Sequence, residues 1–125
     1  MSKTKEELAE IHSNLLCSAF EGGSNYWYLI EKIEYPRGKK REDFKYPHLE
    51  VPFLKGGRII IRAEDHSNEK DPKGHWTLDQ AAIERGWKLM IEEQPRHYAD
   101  AMEDGDATTG DVFLQLCLFG EVIFG

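Results

Sequence analysis

The chain changes hydrophobic period as it goes, and that constrains its fold more than any other feature. Leu8, Ile11, Leu15, Leu16 and Ala19 recur at helical spacing near the start. Ile83, Trp87, Met90 and Ile91 do so again in the third quarter, and residues 111–119 once more near the end. Between the first two lies Arg58 to Asp65 (RIIIRAED), which alternates. There Ile59, Ile61 and Ala63 face one way, and Arg58, Ile60, Arg62 and Glu64 the other. Helices flanking strands in one chain of 125 residues predict an α+β fold. The expected architecture is a small antiparallel sheet with helices packed on one face, in a single two-layer domain over residues 1–125. A chain of this length buries about 65% of its unfolded surface, enough for a core without disulfides or metal.

Local signals place the elements. Thr4 with Glu7 reads as a capping box, and Gly22-Gly23 as the stop of the first helix. Tyr26 to Tyr35 (YWYLIEKIEY) reads as a strand with two apolar faces. Such a strand is central, or is covered by a ligand or a second chain. Pro36 to Gly57 reads as irregular, with an edge strand over His48 to Leu54. SNEKDPKG is a polar loop. Thr77 with Gln80 reads as a second capping box, for a helix over Leu78 to Glu93. Gly86 inside it costs about 1 kcal/mol relative to alanine, which predicts close backbone packing there. Pro95 starts a short helix through Met102. Asp106 or Thr109 caps a last helix, Gly120 closes it, and Glu121 to Phe124 reads as a strand. The longest apolar stretch, Val112 to Phe119, is broken by Gln115 and is too short to span a bilayer.

Formal net charge is −7, which argues against direct nucleic-acid binding. The charge is uneven. Arg37, Lys39, Lys40, Arg41 and Lys45 stand against Glu42 and Asp43 between Pro36 and Tyr46. Ala99 to Gly125 holds six acidic residues and no basic one. The ordinary reading is a solvated basic loop and an acidic surface; the sharper one is a loop that closes on an anion. Cys17 and Cys117 sit in apolar helical patterns and read as free thiols of an intracellular chain.

Catalytic signals are weak. His12, His48, His66, His75 and His97 make no metal-binding spacing, and Asp104, Asp106 and Asp111 fail the EF-hand pattern. No nucleophile motif is present, so no metal, cofactor or enzymatic activity is expected. The segment Glu21-Gly22-Gly23-Ser24-Asn25-Tyr26-Trp27 offers close backbone approach, polar groups and stacking rings. Its order, helix then strand, excludes a phosphate-binding P-loop. Arg58 and Arg62 could join Tyr26 and Tyr28 on one sheet face, because arginine pairs with phosphate and stacks on bases.

Two blocks carry a resemblance: Ala19 to Trp27 (AFEGGSNYW), and Asp104 to Ala107 (DGDA) with Leu114 to Gly125 (LQLCLFGEVIFG). Together they resemble a family of small phage and prophage proteins of unassigned activity. That family shows an EGG(I/S)xYW segment and an LFGEVVYG-like ending. This chain departs from it at Thr109-Gly110 and at Phe124. The resemblance implies viral origin and the cytoplasm of an infected bacterial host. If Val122 to Phe124 pairs near the Tyr26 strand, Glu21, Asn25, Trp27, Gln115 and Glu121 line one pocket. The first expectation is a non-enzymatic counter-defence protein that sequesters a small anionic, nucleotide-derived signal. By analogy with other phage sponges it would be a homo-oligomer. The alternatives are an acidic inhibitor or DNA mimic acting on a host enzyme, and a small hydrolase of a signal nucleotide.

Overall fold

A computed structural model describes residues 3–63, 66, 67, 69 and 71–125. The elements are α1 (Lys5–Ser18), β1 (Leu29–Glu34), α2 (Pro47–Glu50), β2 (Arg58–Arg62), β3 (His75–Leu78), α3 (Gln80–Glu93), α4 (Pro95–Asp104) and α5 (Ala107–Phe119). The strands form one antiparallel sheet in the order β1-β2-β3, with helices packed against it, so the fold is α+β.

The sheet is one-sided. Ile59, Ile61 and Leu78 are buried on its inner face, and Ile30, Ile33 and Trp76 pack against the same core. Leu29, Lys32, Arg58, His75 and Thr77 are exposed on the other face. β1 therefore does not have the two apolar faces that its sequence suggests. Its register against β2 slips between Ile30 and Lys32, leaving Glu31 as a bulge. The extra residue brings Ile30 and Ile33, three apart, onto one face. The strand also begins at Leu29, after the tyrosines.

α5 is the centre of the helical layer. Every residue from Thr109 to Leu118 is buried, with α1 and α3 both packed against the helix. A helix buried all round needs an apolar sequence all round, which Val112 to Phe119 nearly supplies. Two glycines set the packing distances. A Cβ on Gly110 would stand 2.6 Å from the Leu15 carbonyl oxygen. One on Gly86 would stand 2.8 Å from the Cys117 nitrogen, which is the close approach expected there.

The Thr4–Glu7 capping box of α1 is present in both directions. Other boundaries differ from expectation. His48 to Leu54 is not a strand but α2 followed by a 3₁₀ turn, Val51–Phe53. Pro47 and Pro52 each stand in a first helical turn, where the fixed φ suits the helix and no amide donor is needed. Asp79, rather than Thr77, caps α3 through Ala82 N at 2.9 Å. Thr77 belongs to β3, which lies between the polar loop and the expected helix start and was not expected as a strand. Gln80 donates to the Phe53 carbonyl at 2.7 Å and makes no box. On α3, Ile83 and Met90 are buried but Ile91 is 45% exposed. Glu121 to Phe124 forms no strand. Glu64 and Asp65, read as the end of a strand, lie outside the described residues. No described helix is long and apolar enough to cross a membrane.

Candidate functional site

The two blocks at opposite ends of the sequence meet around one carboxylate. α1 runs into a π-helical turn, Ala19–Gly23, that ends with Ser24 N donating to the Ala19 carbonyl at 2.9 Å. A tight turn follows, with Trp27 N donating to the Ser24 carbonyl at 3.1 Å. This turn gathers three side-chain donors within four residues. Asp111, 8% exposed on the first turns of α5, receives them. Its Oδ1 accepts from Ser24 Oγ at 2.8 Å and from Trp27 Nε1 at 2.7 Å. Oδ2 accepts from Tyr26 Oη at 2.6 Å. One turn along α5, Gln115 Nε2 adds a fourth donor to Oδ1 at 3.1 Å. No cation balances the carboxylate among the described residues; hydrogen bonds alone hold it. Partial burial of Tyr26, then its bond to Asp111 and the charge there, push the phenol up to about 12.

Gln115 also fastens the chain end. Its Oε1 accepts from Ile123 N and Phe124 N, both at 2.8 Å, and its Nε2 donates to the Phe124 carbonyl at 3.1 Å. A side-chain amide thus supplies what a neighbouring strand would have supplied. The Phe124 ring lies parallel on the Trp27 indole, centroids 5.2 Å apart, and Phe119 closes on the same indole at 5.3 Å.

This arrangement corrects the expected pocket. Trp27 and Gln115 do come together, but as buried groups with internal partners. Glu21, Asn25 and Glu121 are exposed outside the cluster. Tyr28 is half-buried and donates to the Phe20 carbonyl at 3.0 Å. Tyr26, 57% exposed, is the cluster's one open face. The expected tyrosine–arginine surface is not formed either. Arg62 stands opposite Leu29 and Arg58 opposite Glu34. Each has a glutamate neighbour, Arg62 with Glu31 at 3.7 Å and Arg58 with Glu34 at 3.8 Å. Glu31 also pairs with His75, whose Nδ1 lies 3.0 Å from Asp71. In the sequence Asp111 stands out only as one of three aspartates that fail the EF-hand pattern. A polar pair four residues apart in an otherwise apolar helix, Asp111 with Gln115, was the signal that marked it.

Arg58 has a second setting. It lines a depression of about 310 Å³ with Leu54, Gly56, Gly57, Asp79, Gln80 and Ala81. Gln80 and Ala81 are the first residues of α3, so its positive end opens here. A Cβ on Gly56 would lie 4.0 Å from Pro36 Cα, so the basic run leaves from the rim. A groove of about 450 Å³ lies elsewhere, between α1 and α4. Asp106 is used as the cap of α5, accepting from Thr109 N at 2.8 Å. No three metal-binding side chains cluster among the described residues. No known protein family, curated protein or solved structure matches the chain.

Proposed function

We propose that the chain is a non-enzymatic, phage-encoded counter-defence protein that sequesters a small anionic, nucleotide-derived signal in the host cytoplasm. One observation carries the reading. Arg58 and the amino end of α3 share a single depression of about 310 Å³. The positive end of the helix dipole favours an anion there, and the guanidinium adds a charge with two parallel donors. The Arg58–Glu34 pair is half-exposed and contributes little, so a phosphate competes with it readily. Asp79 lines the same depression and caps α3 through Ala82 N, so an anion bound there shares the helix end with this carboxylate and relies on Arg58 to offset it. The viral origin rests on the sequence resemblance.

The test is thermal melting against cyclic di- and trinucleotides, cyclic ADP-ribose isomers, ADP-ribose and pyrophosphate. A ligand at 100 times its Kd adds about 2.7 kcal/mol, a rise of roughly 10 °C for a chain this size. One class should shift the melt, be recovered intact, and lose its effect in Arg58→Ala. A flat panel, or a shift that Arg58→Ala retains, refutes the site.

A further inference from the structure

The groove between α1 and α4 is lined by acidic and apolar side chains. Glu7, Glu10 and Glu103 line it, against Lys3 alone, and Lys3 lies 4.0 Å from Glu7. Ile11, Ala101 and Met102 provide apolar surface between them. At about 450 Å³ it is larger than the Arg58 depression, and its charge is wrong for an anion. It suits a segment with an excess of basic side chains.

The same chain carries such a segment. Lys39, Lys40, Arg41 and Lys45 are exposed, and none forms an ion pair among the described residues. Asp43, one of two acids in the run, is occupied with the Lys40 amide at 2.8 Å. Lys45 lies over the Tyr46 ring at 5.4 Å. The run is held in a short 3₁₀ turn, Arg41–Asp43, so its charges are presented by an ordered loop.

We infer that the groove is a self-association surface, and that its occupant is the basic run of a second copy. Charge complementarity between two surfaces of one chain carries the argument. A reciprocal arrangement closes with twofold symmetry, each run seated in its partner's groove. Net charge of −7 on each copy opposes association at long range. At 0.15 M salt that repulsion is screened beyond about 8 Å, whereas charges in contact still attract. The inference is independent of the ligand reading, because its readout is mass.

Sedimentation of the full chain from 5 to 200 µM tests it. The wild type should associate at 0.15 M NaCl and weaken at least tenfold at 1 M. Glu10→Lys with Glu103→Lys should be monomeric, and so should Lys39→Glu with Lys40→Glu. An equimolar mixture of the two variants should associate again, since each reversed surface then meets its complement. Glu92→Lys with Glu93→Lys makes the same charge change on α3 and should associate as the wild type does. Cys17 also lines the groove, so its alkylation should slow as the mass rises. A wild type monomeric throughout overturns the inference. So does a groove variant that still associates, or a mixture of two folded variants that does not. Protection of Cys17 only by an added lysine-rich peptide also overturns it, assigning the groove to a foreign protein.

Discussion

Replacing Asp111 with alanine should be among the most damaging single changes in this chain, and replacing it with asparagine should be mild. Three donors converge on Oδ1 and one on Oδ2. Alanine removes them all. Ser24 can turn its hydroxyl, Tyr26 can turn to water, and Gln115 keeps the Phe124 carbonyl. The Trp27 indole N–H has no such escape, and a buried donor left alone costs about 1–3 kcal/mol. Losing hydrogen bonds to a charged acceptor costs about 1.5–3 kcal/mol each, offset in part because a buried charge is no longer desolvated. The sum is about 3–5 kcal/mol, or roughly 15 °C in Tm. Asparagine keeps an oxygen for the three Oδ1 donors, and the Tyr26 hydroxyl can accept from its amide. Its cost should be about 1 kcal/mol. Urea denaturation followed by tryptophan fluorescence measures both. An alanine variant within 1 kcal/mol of wild type, or an asparagine variant as damaged as alanine, would refute the argument.

Gly86→Ala should destabilise by about 1–3 kcal/mol in denaturant titration, because the clash with the Cys117 backbone outweighs a gain of about 1 kcal/mol in helix propensity. His12 packs between Trp87 and Phe113, and burial pushes its imidazole down to about 4. A lowered histidine pKa contributes stability that is present above 6.5 and lost as pH falls toward 4, so a pH series should show that loss and His12→Phe should flatten it. Tyr26 and Tyr28 are both raised to about 12, so their contribution is complete below pH 10 and lost through 12. Tyr26→Phe should shrink the Tyr26 share of that alkaline loss in pH-dependent melts. Burial pushes both thiols up, Cys117 much further than Cys17, so a thiol reagent should modify one cysteine in the native state and two in urea.

Helix periodicity was legible because it is local, and so was the capping of α1, though not that of α3, where Asp79 replaces Thr77. Thr4 with Glu7 and the closure at Gly120, with its φ of 76°, follow from residues a few positions apart, and Gly86 announced a close approach without naming Cys117 as its partner. Of the strands, β2 was legible in type and phase, β1 in type but not in phase, and β3 not at all. A bulge at Glu31 depends on the pairing partner, and nothing inside LIEKIE specifies it. β3 is four residues long and owes its existence to the β2 ladder. The end of the chain misled for a related reason. Val122 to Phe124 has strand composition, but the partner that satisfies its backbone is the Gln115 side chain. At the candidate site, sequence brought Trp27 and Gln115 together without the acid between them. Asp111 near a helix start has an ordinary local explanation, and its donors lie up to 87 residues away.

The position of α5 in chain order governs when this protein can fold. It follows the sheet and the other described helices in the chain, yet α1, α3 and α4 pack against it. Until residues 107–119 emerge, α1 and α3 lack the helix on which both mainly pack, and Ser24, Tyr26 and Trp27 lack their acceptor. A nascent chain halted before Gly105 should therefore remain protease-sensitive along its whole length rather than mature from the front. Burial of the core described above thus waits on the synthesis of α5.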